Sequence, residues 1–129
     1  DYALIYNGGG ANKFYITGGG SIYCVDTTIH SISDQSLKTN VRDLETGLSE
    51  IMALKPRRFD WIDGHASNVA GFIAQEVQLT LPDLVTPYRV TTEGTETKLA
   101  LGMGDMLPTL VKALQELKTE FDAYKASHP

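Results

Sequence analysis

A chain of 129 residues, 42% hydrophobic and 21% charged, has room for one ordinary domain or for a small domain with an extended appendage. Its formal net charge of -5 and scattered basic residues form no cationic stripe for a phosphate backbone, and no segment is long and apolar enough to span a membrane, so neither nucleic acid nor membrane is an expected partner. The single cysteine, Cys24, excludes an intrachain disulfide, and His30, His65 and His128 lack metal-ligand spacing, so no metal or other cofactor is expected.

The chain opens at Asp1 on a strand-like run with none of the marks of a secretory leader, which reads as an excised piece of something longer. Ala3-Leu4-Ile5-Tyr6-Asn7 leads into Gly8-Gly9-Gly10, and ten residues later Lys13-Phe14-Tyr15-Ile16-Thr17 leads into Gly18-Gly19-Gly20. Aromatic and β-branched runs punctuated by glycine triplets predict short strands with tight turns. Two arrangements fit them equally: an ordinary two-hairpin sheet, or the end of a β-helical stem whose apolar faces are covered by upstream repeats or by partner chains.

After Ser33 the pattern becomes mixed α and β. Asn40 as N-cap, Asp43 at the third helical position, and Val41, Leu44, Leu48 and Ile51 at helical spacing predict an amphipathic helix that stops at Pro56. Arg58–Ile62 and Val69–Ile73, separated by the turn pair Asp63-Gly64, predict a hairpin. A short helix is expected from Ala74 to about Leu81, then strands near Leu84–Val90 and Thr95–Leu101 around a turn at Glu93-Gly94. The last element, expected over about 104–126, carries Leu107, Leu110, Leu114, Leu117, Phe121 and Tyr124 in alternating steps of three and four. That is the a/d seam of a coiled coil, with Glu120 at g and Lys125 at e. The competing arrangement is a monomer whose C-terminal helix packs on its own sheet.

Catalytic patterns are sparse. Gly102-Met103-Gly104-Asp105 lacks both the third glycine of a dinucleotide loop and the lysine of a phosphate loop, and Asp60 and Asp63 have the placement of turn-forming residues. The remaining candidate is Ser33-Asp34-Gln35-Ser36-Leu37-Lys38. Serine needs a base to become a nucleophile, and a lysine freed of its proton can supply one. Five extended residues span roughly 16 Å, so Lys38 reaches Ser33 only if the loop folds back or if the lysine comes from a neighbouring chain.

Ser33 to Val41 resembles the Ser-Asp-x-x-Leu-Lys start of the intramolecular chaperone and self-processing domain (peptidase S74 type) of bacteriophage tailspike, tail-fibre and neck-appendage precursors. Leu54–Trp61, Ala70–Val77 and Pro82–Val85 follow in that family's order. The resemblance implies an α+β fold with residues 1–32 ending a triple-stranded β-helical stem, and residues 33–129 forming a chaperone domain that closes in a trimeric coiled coil. It also implies a homotrimer that acts on its own precursor's stem and then releases itself, with Ser33 as nucleophile, Lys38 as base and Ser33-Asp34 as the scissile bond. An acyl shift would instead break Ile32-Ser33. Backbone amides near the junction are the expected oxyanion donors, and cleavage is expected to wait until a wound stem brings Ser33 and Lys38 together. The parent would be made in the infected cell and carried in the virion tail. The alternatives are a trimeric clamp without proteolysis and a receptor- or glycan-binding tip built on Trp61, Tyr88 and Tyr124.

Overall fold

In the computed structural model, which describes residues 2–129, the first glycine triplet is a hairpin turn. Gly9 and Gly10 have φ of 64° and 79°, and two successive left-handed residues reverse the chain with the twist that flanking strands require. They join β1 (Tyr2–Gly8) to β2 (Ala11–Thr17), with Gly8 opposite Ala11. The second triplet closes on Thr17, whose hydroxyl accepts from Ser21 N (3.1 Å), and delivers β3 (Ile22–Cys24) back against β2 with Tyr15 opposite Tyr23. Those two rings stack at 4.8 Å. The result is an antiparallel meander ordered β1-β2-β3. Phe14 to Thr17 are only partly covered, and Ile22 and Tyr23 are exposed.

The meander belongs to one compact unit, which runs to Val41; the second spans Arg42–Pro129. In the second unit the predicted helix from Asn40 is much shorter. Asn40 has a φ of 51°, incompatible with a helical N-cap, and α1 covers only Leu48–Ala53. What overrides the helical pattern of Val41 and Leu44 is tertiary. The Leu44 carbonyl accepts from Lys112 Nζ, Thr46 Oγ1 meets Thr109 Oγ1 at 2.8 Å, and Gly47 lies so close to Lys112 and Glu116 that a β-carbon would displace the Glu116 carboxylate. The helix starts instead at Gly47, whose N–H donates to Glu50 Oε2 (3.1 Å), satisfying one of the orphan donors of a first turn.

The hairpin of β4 (Arg57–Phe59) and β5 (Val69–Gly71) is shorter than expected. Asp60 accepts from Asn68 N (2.6 Å) and Asp63 from His65 N (3.1 Å), so these side chains turn residues 60–68 into a loop. Then come α2 (Ala74–Gln78), a single 3-10 turn at Pro82–Leu84, and the ribbon of β6 (Val85–Arg89) and β7 (Thr97–Leu101). The core forms where these meet. Val77, Leu81 and Leu84 are buried, with Leu54, Phe72, Val85, Leu101 and Met106 against them; each such side chain contributes on the order of 1.5–3 kcal/mol. A 3-10 turn at Met103–Met106 leads into α3 (Leu107–Ser127), 21 residues long, which begins three residues later than predicted. Among the described residues no sheet has more than three strands, and two-stranded ribbons are marginal alone.

Candidate functional site

The segment after β3 carries no regular structure until residues 35–37. There a single 3-10 turn, Gln35–Leu37, is capped by Asp34. The Asp34 carboxylate accepts from the backbone N–H of Ser36 (2.8 Å) and from the Ser36 hydroxyl (2.5 Å). Short polar side chains that bind the backbone two residues on are natural turn formers. The Ser36 hydroxyl, and then its N–H, hold the Asp34 carboxyl below the usual carboxylate range. The Leu37 N–H donates to the Asp34 carbonyl and the Lys38 N–H to the Gln35 carbonyl, both at 3.1 Å.

This turn brings the two sequence-predicted residues together. Lys38 Nζ donates to Ser33 Oγ at 2.5 Å, within the reach a nucleophile-base pair needs. Of the two routes open to the sequence, the loop folds back within one chain. The expectation that a wound stem must first bring the pair into reach therefore does not describe this chain. The amides of Ser36, Leu37 and Lys38 are all engaged inside the turn, so they are not the oxyanion donors expected near the junction. Asp34 does more than flank a bond: its link to Ser36 was readable as Asp-x-Ser, a turn signal overshadowed by the Ser-Asp junction. Ser33 and Lys38 are exposed, and Ile29, Ile32, Leu37 and Val41 around them in sequence are exposed as well.

On the second unit, α3 turns Thr109, Ala113 and the inward parts of Lys112 and Glu116 toward its own unit. The a/d positions point elsewhere: Leu110, Leu114, Leu117, Phe121 and Tyr124 are all about half exposed or more, Leu114 at 67%. The expected alternative, a C-terminal helix packed on its own chain, is met in part: α3 packs within its unit through Thr109 and Ala113, while these five side chains stay open to solvent. Lys125 Nζ sits 5.3 Å above the Phe121 ring, and Lys118 pairs with Asp122 at 2.6 Å. A groove of about 860 Å³ runs beside this helix between Leu44, Leu107, Val111 and Glu120 and contains neither Ser33 nor Lys38. It is wide open to solvent, unlike the enclosed clefts that take small substrates.

The ring partners of the exposed aromatics are local. Trp61 packs edge-on to Phe59 and beside His65, and Tyr124 stacks on His128.

Residues 33–86 match the model of the family described as chaperone of endosialidase, the peptidase S74 family. The matched stretch contains all four motifs on which the resemblance was drawn and holds both Ser33 and Lys38; α3 lies beyond it. No curated protein matches the chain.

Proposed function

We propose, from that family match, that the chain is a self-releasing intramolecular chaperone: α3 gathers three copies, the gathered ends set the register of a β-helical stem, and the Ser33–Lys38 pair then severs the chain. The observation that carries the catalytic half is the 2.5 Å contact of Lys38 Nζ with Ser33 Oγ on a turn inside the matched stretch. The chaperone half is supported by the outward seam of α3. Intertwining three strands has a large ordering cost before any contact forms, and a seam that holds chain ends together lowers it through effective concentration. On this reading the parent is a phage tailspike or fibre precursor made in the infected cell, and the domain is shed once the stem is wound.

The chemistry follows from the pair. An uncharged Lys38 amine takes the proton of Ser33 Oγ as that oxygen attacks a carbonyl, and returns it to the leaving nitrogen; water then hydrolyses the ester. Burial favours an uncharged amine, and because the pair is exposed in the single chain, neighbouring copies or the stem supply the dry surroundings. Ring size decides which bond the serine can reach. Attack on the Ile32 carbonyl of its own chain closes a five-membered ring and cuts before Ser33. Attack on its own carbonyl would close a four-membered ring, so a cut at Ser33-Asp34 calls for the serine of a neighbouring copy or for water activated by the pair. A cut there also leaves Ser33 on the stem and Lys38 on the released piece, which limits the pair to one turnover.

The test is a time course of intact mass for the wild-type chain and for Ser33→Ala and Lys38→Ala. The wild type is expected to yield a fragment beginning at Asp34, both variants to remain whole, and all three to form the same oligomer. Normal cleavage in either variant would sink the pair. A fragment beginning at Ser33 would assign the acyl shift. A wild type that trimerises and stays whole would leave a non-proteolytic clamp, the reading that the exposure of both side chains favours.

A further inference from the structure

The base reaches the serine because the chain between them is bent, and beside the turn's two backbone hydrogen bonds one side chain ties the bend. Asp34 Oδ1 accepts two hydrogen bonds from Ser36, one from its backbone N–H at 2.8 Å and one from its hydroxyl at 2.5 Å, while Leu37 N–H closes onto the Asp34 carbonyl at 3.1 Å. No buried apolar contact supports the turn: residues 33–38 are all exposed, with Leu37 at 70%. An exposed six-residue segment with so little packing would otherwise sample extended conformations in which Lys38 lies far from Ser33.

We propose that Asp34 and Ser36 form a positioning clamp for the Ser33–Lys38 pair, a role that rests on the self-cleavage reading above. The clamp acts through acceptor geometry: one carboxylate oxygen gathers two donors of residue 36, fixes the 3-10 turn, and so sets the direction in which Lys38 leaves it. Neither residue touches the bond-making atoms through its clamping contacts, so both are positioning residues. Misplacing a base by about 1 Å costs on the order of 10²-fold in rate, which sets the scale for losing the whole clamp; losing one of its two bonds has a smaller effect.

The experiment is a set of first-order self-cleavage rates on the full 129-residue chain, read by intact mass. Asp34→Ala is expected to slow cleavage about 100-fold and Ser36→Ala about tenfold. Two conservative variants test the geometry: Asp34→Asn keeps an acceptor oxygen for the Ser36 N–H, and Ser36→Thr keeps the hydroxyl. Both are expected to restore the rate to within a few-fold of wild type, which a merely structural or leaving-side role for Asp34 does not predict. Circular dichroism and oligomeric state of each uncleaved variant guard against misfolding. Wild-type rates in Asp34→Ala overturn the clamp, as do equal losses in Asp34→Asn and Asp34→Ala alongside an unaffected Ser36→Ala. Lys38→Ala in the same series keeps the two readings apart. If it is inert while Asp34→Ala cleaves normally, the clamp fails and the pair stands; if it cleaves normally, or the wild type stays whole, the pair fails and takes the clamp with it.

Discussion

Leu114→Ala separates the seam's role in assembly from any role inside one chain. Leu114 is 67% exposed, so in the lone chain its truncation removes little packing and changes stability by no more than about 0.5 kcal/mol. In a trimer the same side chain loses its remaining water. Full burial of a leucine is worth about 1.5–3 kcal/mol, so covering the exposed two-thirds contributes roughly 1–2 kcal/mol per copy and about 3–6 kcal/mol per trimer. At about 1.4 kcal/mol per decade, that is on the order of 10²–10⁴ in the assembly constant. Sedimentation equilibrium over a concentration series measures the constant directly, and thermal melts followed by circular dichroism at two concentrations give the coupled stability. Wild type is expected as a trimer with a concentration-dependent midpoint, and Leu114→Ala as a mixture shifted toward monomer with its helical content retained. An unchanged assembly constant in Leu114→Ala, or a wild type that stays monomeric at high micromolar concentration, would refute the seam.

Leu81→Ala tests the interior instead. It removes three carbons from a residue 5% exposed, which at about 0.8 kcal/mol per carbon plus a cavity term predicts roughly 2.5–4 kcal/mol of lost stability, read as a lower denaturant midpoint at every protein concentration. The ion pair of Arg57 with Glu76, at 3.0 and 2.7 Å, predicts a pH effect. Hydrogen bonding from Arg57, above all other causes, holds the Glu76 carboxyl below its ordinary value of 4.5. The folded pKa therefore lies under the unfolded one, and the pair's stabilisation is present above pH 4.5 and lost as the pH falls through the depressed folded value. Denaturant midpoints taken between neutral pH and about pH 3 should fall less steeply for Glu76→Gln than for wild type; equal slopes would show that the pair contributes nothing.

Local grammar was legible wherever a residue's own chemistry dictates the backbone. The glycine triplets as turns, Asp63-Gly64 as a loop, α2 before Pro82, and the β6–β7 ribbon around Glu93-Gly94 follow from conformational preferences that need no partner. The pattern failed at Asn40 to Gly47. Val41 and Leu44 carry helical spacing, yet Lys112 and Thr109 of α3, more than sixty residues away, tie Leu44 and Thr46 in a stretch that forms no helix, and a helix of so few residues has too little intrinsic stability to resist.

The site divides in the same way. By itself the sequence determined that Ser33 and Lys38 were the pair to consider and that Leu110, Leu114, Leu117, Phe121 and Tyr124 form a stripe on one helix face, because residue type and a 3.6-residue period are properties of the chain alone. The Asp-x-Ser turn is local to the sequence, but only the folded structure decided that the bend carries Lys38 Nζ back to Ser33 Oγ within one chain. Only it decided, too, which way the stripe points: α3 packs on its own unit through Thr109 and Ala113, and a helix that buries one face leaves the leucine seam, turned away from it, open to solvent.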